Sequence, residues 1–356
     1  MLALMKCILS HTTALQWFMR YTNPRHGSNR TSRASLAGAS TPRPGQAEAI
    51  RNSLWLDTEE PLDVLVASEK VKQTVAGVRC HVCSGELPVG SLIPIVGPGD
   101  IELYICCPEL VFIQMASRTD PTGTIYYGTA LSSEYRLDPV ARGGVALREH
   151  TDEPLTTPAR IATYLDRAAG VRGCKLAEKA QPYLLGRARS PKEAALGLML
   201  SLPVRLGGYH LGAVTLNERI EIPDGIDRFG VPRTSTRYPD IIIRNRDRTG
   251  RPRAVAADYD AFAVHADAHA MARDARRRNE LATMEGFTYF TITTDEARDF
   301  EYMEKLAERM RLALGQRKQP YLSGHADSVD NRALLERTHR AQYDFWARFV
   351  RDGVGV

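Results

Sequence analysis

No apolar run in the sequence approaches the roughly 20 residues that a membrane-spanning helix needs, because the longest candidates are broken by Arg, Asp or Pro. That argues against a helical membrane protein and leads us to expect a soluble one. The chain also lacks an internal repeat, which sets aside solenoid and propeller architectures. Acidic residues are missing from positions 1–47, where Lys6, Arg20, Arg25, Arg30, Arg33 and Arg43 stand alone. Of the overall net charge of +5, the rest of the chain therefore carries −1, and the global excess of base says little about the folded surface. Two readings of this basic start stand. It is Arg- and Ser-rich like a transit peptide; alternatively CILSHTTALQWF forms a short strand and a helix capped by Ser10, followed by a mobile basic loop over about residues 23–46. We favour the second.

Cysteine is sparse, with six in 356 residues. Cys80 and Cys83 in CHVC, with Cys106 and Cys107, superficially offer four thiolates to zinc. VRCHVC alternates as a strand, however, so residues three apart point to opposite faces, and adjacent Cys106 and Cys107 diverge likewise. Reduced structural thiols in a cytoplasmic protein are the better account, with zinc the lesser alternative.

What is present suits two globular domains: 43% hydrophobic and 25% charged residues over a length that supports two cores. We expect an α/β (α+β) protein in two parts. Residues 1–185 carry short strands (DVLVAS, TVAGVRCHV, SLIPIV, IELYICC), then helices through PELVFIQMASR, from Thr157 and Pro158, and through KLAEKAQPYLL. Residues 186–300 read as a helix from SPKEAALGLMLSL, strands GAVTLNERIEI, YPDIIIR and PRAVAADYD, a helix through HAMARDARRRNELATMEG, and strand FTYFTIT. Residues 301–356 are C-terminal helices. The αβββαβ order predicts a mixed sheet flanked by helices.

AVAADYD ends an apolar run in Asp258 and Asp260, which share a face in a strand and repel unless a cation or proton lies between them. Asp240 opens the preceding strand, so a hairpin brings it level with the far end of its neighbour. Clustered carboxylates are what Mg²⁺ or Mn²⁺ requires, and such an ion polarises a phosphoryl oxygen and activates water. Asp240 and Asp258 are the candidate metal ligands, with Asp260 and Glu193 completing or orienting the shell. The bland readings remain open: Asp258 faces solvent and Asp260 caps the next segment, while Glu193 closes the capping box begun by Ser190. His265 is a candidate base or phosphate contact.

The surroundings are basic. Eight arginines lie between Arg228 and Arg253, including Arg237 and Arg244, and Arg273, Arg276, Arg277 and Arg278 follow the aspartates. Guanidinium groups around an acidic centre suit a polyanion held by its phosphates. We take Arg237, Arg244, Arg273 and Arg277 as candidate nucleic-acid contacts; a solvated helix face is the alternative for residues 276–278.

As an ordered set these residues resemble a known family. Asp258, Tyr259, Asp260, His265, Asp274, Arg277, Asn279, Leu281, Gly286 and Phe287, with RYPDIIIR and SPKEAALGLMLSLP before them, are similar to domains related to very-short-patch-repair endonucleases of the PD-(D/E)XK superfamily. Two departures stand out: Asp258 takes the place of the usual Glu, shortening the arm by one methylene, and Ala261 replaces Gly or Ser. The superfamily lysine is Asp260. Residues 1–185, through LSHTTAL, VRCHV and ICCPELVFIQMA, resemble the region that precedes this domain in abortive-infection (AbiEi) antitoxin-like proteins of actinobacteria, although no helix-turn-helix is evident. The resemblance implies a Mg²⁺-dependent DNA endonuclease in phage defence or a toxin–antitoxin system. The alternative is a non-catalytic antitoxin or DNA-binding regulator with a cognate toxin as partner.

Overall fold

The computed structural model describes residues 5–20, 33–56, 59–148, 154–260, 287–317 and 329–353. The protein is mixed helix and sheet, and it divides into two compact units between Gly186 and Arg187. Among the described residues no helix is long and apolar enough to cross a membrane.

The first unit runs β1 (Met5–Leu9), α1 (His11–Arg20), α2 (Pro44–Ser53), β2 (Leu62–Val66), β3 (Val78–Val82), β4 (Leu92–Ile95), β5 (Ile101–Cys106), α3 (Pro108–Ala116), α4 (Pro121–Leu131), β6 (Tyr135–Leu137), β7 (Val145–Leu147), α5 (Pro158–Leu165) and α6 (Cys174–Ala180). Its five-stranded sheet has the order β3-β2-β1-β5-β4. The β1–β5 and β2–β3 pairs are parallel, whereas β1–β2 and β4–β5 are antiparallel. Four of its helices open on Pro in the first turn, where the missing N–H costs nothing and the fixed φ already suits a helix. Helix α3 is buried along its whole length, as expected of a helix at the centre of a core, and its two polar residues are hydrogen-bonded, Glu109 by Thr156 and Gln114 by the His11 N–H. Helix α2 starts at Pro44, inside the stretch expected to be loop through residue 46, because Pro44 and Gln46 fit a helix start: Gln46 Oε1 accepts the Arg43 N–H at 3.0 Å. Residues 23–32 of that expected loop lie outside the described residues.

The second unit runs α7 (Pro191–Ser201), β8 (Ala213–Leu216), β9 (Ile220–Ile226), β10 (Pro232–Arg237), β11 (Ile241–Arg246), β12 (Pro252–Asp260), β13 (Phe287–Thr293), α8 (Thr294–Arg298), α9 (Phe300–Ala313) and α10 (Val329–Phe345). Its main sheet has the order β13-β12-β11-β8, antiparallel except for the β12–β13 pair. Ile241, Ile242 and Ile243 of β11 and Val255, Ala256 and Ala257 of β12 are fully buried, the continuous apolar pattern of central strands covered on both faces. Hairpin β9–β10 forms a separate two-stranded sheet.

One expected strand is two. GAVTLNERIEI breaks at Asn217, whose φ of 48° is left-handed, a conformation that Asn tolerates better than most residues. The break sends β8 into the main sheet and β9 out into the hairpin. The helix expected between β12 and β13 lies in 261–286, outside the described residues.

Candidate functional site

The site is built where β11 and β12 begin and end. Ile241 pairs with Ala257 across the antiparallel ladder, so Asp240 and Asp258 occupy the next opposed positions outward. Asp258 is buried, with 7% of its surface exposed. Its Oδ1 accepts the backbone N–H of Asp240 at 3.0 Å, and its Oδ2 accepts the Tyr289 hydroxyl at 2.8 Å. In return Asp240 Oδ2 accepts the backbone N–H of Tyr259 at 2.7 Å. Each aspartate thus caps the main chain at or beside the other, which fixes both carboxylates at one end of the hairpin. Asp260, two residues on, sits opposite Thr293 of the parallel neighbour β13.

Glu193 reaches this place by a different route. Ser190 caps α7, its hydroxyl accepting the Glu193 N–H at 3.1 Å. The Glu193 carboxylate turns back to accept the Arg189 N–H at 2.9 Å and the Ser190 hydroxyl at 3.0 Å. It also accepts the side-chain amide of Asn217 at 2.7 Å, and the Asn217 backbone N–H donates to the carbonyl of Asp240 at 3.0 Å. Glu193 is therefore a helix cap and, through Asn217, a strut to Asp240. Burial raises its carboxyl above the usual carboxylate range, against the lowering effect of these donors.

Asn217 and Tyr289 are the two site residues that sequence reasoning missed. Both Asn217 amide hydrogens go to acceptors, Glu193 and the Arg187 carbonyl at 3.0 Å. Its Oδ1 is buried without a donor. An Asn between an alternating apolar segment and a charged one carries a turn signal, but nothing local says that its side chain faces a helix start. Tyr289 is placed by parallel pairing of β13 with β12, in which it lies opposite Ala256, one step from Asp258 on the same face.

Oxygen donors alone make up this set, which fits a hard divalent cation, and Mg²⁺ is commonly held by one or two carboxylates plus water and substrate phosphate. Among the described residues, no group of three or more His, Cys, Asp or Glu side chains is gathered to hold a metal. Asp240 and Asp258 lie side by side, each already accepting protein donors, as Glu193 does. The six cysteines form no disulfide, and burial pushes the thiol of Cys106 up to about 12.

The arginines divide by partner. Arg244 is held in a forked pair by Glu218, at 2.6 and 2.8 Å, Arg253 by Asp247 at 3.3 Å, and Arg237 donates to the Thr236 carbonyl at 2.9 Å. Arg233, Arg248 and Arg251 have no side-chain partner among the described residues. A 420 Å³ cavity at the Asp247 turn is lined by Arg246, Arg248, Arg311 and Arg317. His265, Arg273 and Arg277 lie outside the described residues. Compared with protein families, curated proteins and solved structures, the chain matches none.

Proposed function

We propose that the second unit is a metal-dependent DNA endonuclease of the PD-(D/E)XK type, with Asp240 and Asp258 as ligands of Mg²⁺ or Mn²⁺. The observation that carries this reading is the reciprocal capping of Asp240 and Asp258 at one end of the β11–β12 hairpin. The element order α7, β8, β11, β12 and β13, with its single parallel pair, supports it as well. The ion, when bound, polarises a phosphoryl oxygen and lowers the pKa of a bound water. The protein's own groups hold the carboxylates in place: Tyr289 and the Asp240 amide orient Asp258, the Tyr259 amide orients Asp240, and Glu193 with Asn217 fixes the chain at Asp240. Unpartnered Arg233, Arg248 and Arg251 are suited to backbone phosphates. Incubation of the full chain with plasmid and Mg²⁺ or Mn²⁺ tests the reading. Nicking or linearisation is expected, lost in both Asp240→Ala and Asp258→Asn; cleavage undiminished by either substitution would sink the assignment.

One observation favours a second reading, a non-catalytic antitoxin or DNA-binding regulator whose partners are DNA and a cognate toxin. Both Asp258 oxygens already have protein donors, so the scaffold is satisfied without an ion. That reading predicts salt-sensitive DNA binding that persists in chelator, with no cleavage under any divalent ion.

A further inference from the structure

The first unit contains a second constellation that the nuclease reading does not use. Asp63, in the middle of β2, is completely buried, and isolated charge in such a place is costly unless it is paired. Its Oδ1 faces His81 Nε2 at 2.7 Å, Arg118 at 2.9 Å and Arg79 at 3.5 Å. Its Oδ2 is buried with no donor. The His81 ring stacks on His11, with centroids 3.6 Å apart and planes inclined by 21°. His11 adopts a left-handed backbone, φ 47°, at the junction of β1 and α1, where its N–H donates to Gln114 Oε1 at 2.9 Å and its Nδ1 meets the Ser10 hydroxyl at 3.0 Å. Strain of this kind in a non-glycine residue persists where the surroundings enforce it, and it gathers at functional sites.

His11, Gln114, His81 and Arg118 border a cavity of about 460 Å³ that Arg172 also lines, with Leu65 and Val171 among its apolar walls. Its size falls in the range of small-molecule sites. Its charge is one-sided. Lys72 and Glu69 on the rim pair with each other at 3.3 Å, whereas the guanidinium groups of Arg118 and Arg172 line the cavity with no carboxylate on its wall other than Glu69, the Asp63 carboxylate behind them being shared by Arg79, Arg118 and His81. Arg172 has no side-chain partner among the described residues, yet its charge is felt at His11. Two guanidinium groups on one wall suit an anion with several oxygens, and their planar forks match phosphoryl oxygens.

We propose that this cavity binds a small phosphate monoester of mononucleotide size, with Arg118 and Arg172 on the phosphoryl oxygens and His81, oriented by Asp63, as a third polar contact. The apolar walls take the organic part. Nothing in this inference depends on the nuclease reading, since all its residues belong to the first unit.

Calorimetric titration of the full chain with adenosine monophosphate, inorganic phosphate, adenosine and malonate tests it. The two phosphates are expected to bind, adenosine not, and the dicarboxylate more weakly than either phosphate. Loss of one charge-assisted contact in Arg172→Gln should weaken binding by about tenfold or more while leaving thermal unfolding unchanged, since Arg172 pairs with no described side chain. In the wild type, His81 ring ¹⁵N shifts should move on saturation with adenosine monophosphate. Absence of heat with both phosphates, adenosine binding as tightly as its monophosphate, malonate equal to phosphate, or full affinity in Arg172→Gln would each overturn the proposal. DNA binding unchanged in Arg172→Gln separates this site from any phosphate contact in the second unit.

Discussion

Protonation of His11 opposes folding. Burial first, and then the neighbouring charges of His81, Arg118 and Arg172, lower its pKa to about 3, with Asp63 pulling the other way. In the unfolded chain the imidazole takes a proton near 6.5. Between about pH 3 and about 6.5 the unfolded state therefore binds more protons than the folded state, so stability rises with pH across that window. The contribution is complete above about 6.5 and is lost as pH falls toward about 3. Asp63, whose carboxyl its donors hold below the usual range despite burial, adds to the loss at the acid end. Urea unfolding followed from pH 7 to pH 4 should show a fall of about 2–3 kcal/mol from His11. His11→Asn, which keeps a residue tolerant of left-handed backbone, should remove most of that slope; an unchanged slope would refute the assignment.

At the scale of elements, the helix α7 and the strands β11, β12 and β13 were legible because their signals are local. Ser190 and Pro191 mark a helix start, three isoleucines mark a covered strand, and AVAA continues the same pattern on its neighbour. The opposition of Asp240 and Asp258 followed from treating those two strands as a hairpin. What was not legible depends on residues distant in sequence. The end of β8 at Asn217 is set by hydrogen bonds to Glu193 and to the Asp240 carbonyl, 24 and 23 residues away, so GAVTLNERIEI read as one strand. Helix α4 escaped notice because PTGTIYYGTAL contains two glycines, both weak helix formers. Its start is nevertheless secured by Asp120, which accepts the Gly123 N–H at 2.7 Å. The sequence leaves two roles open for Glu193; in the structure Ser190 caps the helix while the Glu193 carboxylate takes the Arg189 N–H in place of the Ser190 N–H of a full capping box, and Asn217 ties it to the site. Truncating the strut, Asn217→Ala, should cost about 1–3 kcal/mol, since it removes two hydrogen bonds, to the Glu193 carboxylate and the Arg187 carbonyl, from a buried polar side chain. Chemical denaturation reads this directly, and a change within error would remove Asn217 from its structural role.

For the whole molecule, the uneven charge has a measurable outcome. The net charge of +5 is spread over a first stretch without acid and a second unit rich in arginine, and many of those arginines are already neutralised internally, as Arg244 is by Glu218. The ones that remain decide any affinity for a polyanion. DNA binding measured against salt should lose a slope of about 2–3 in log–log form when Arg233, Arg248 and Arg251 are all replaced by Gln, given about 0.9 per phosphate contact. An unaltered slope would move the contact surface elsewhere. The sequence could count these side chains but could not say which were spoken for, because Glu218 and Asp247 meet their arginines only after the sheet and its turns have formed.

That the Asp258 carboxylate accepts the Asp240 N–H, and the Asp240 carboxylate the Tyr259 N–H, has one more implication. Where nothing but the ion holds a set of metal ligands together, stripping it unravels the chain, as in small zinc domains. Here peptide groups and a phenol already quiet the repulsion, so folding and ion loading are separate events. Treatment with EDTA should leave the melting temperature of this protein within about 1–2 °C of its Mg²⁺-containing value, which under the size scaling of unfolding entropy corresponds to well under 1 kcal/mol. On the proposed reading, EDTA therefore abolishes cleavage and leaves the architecture intact.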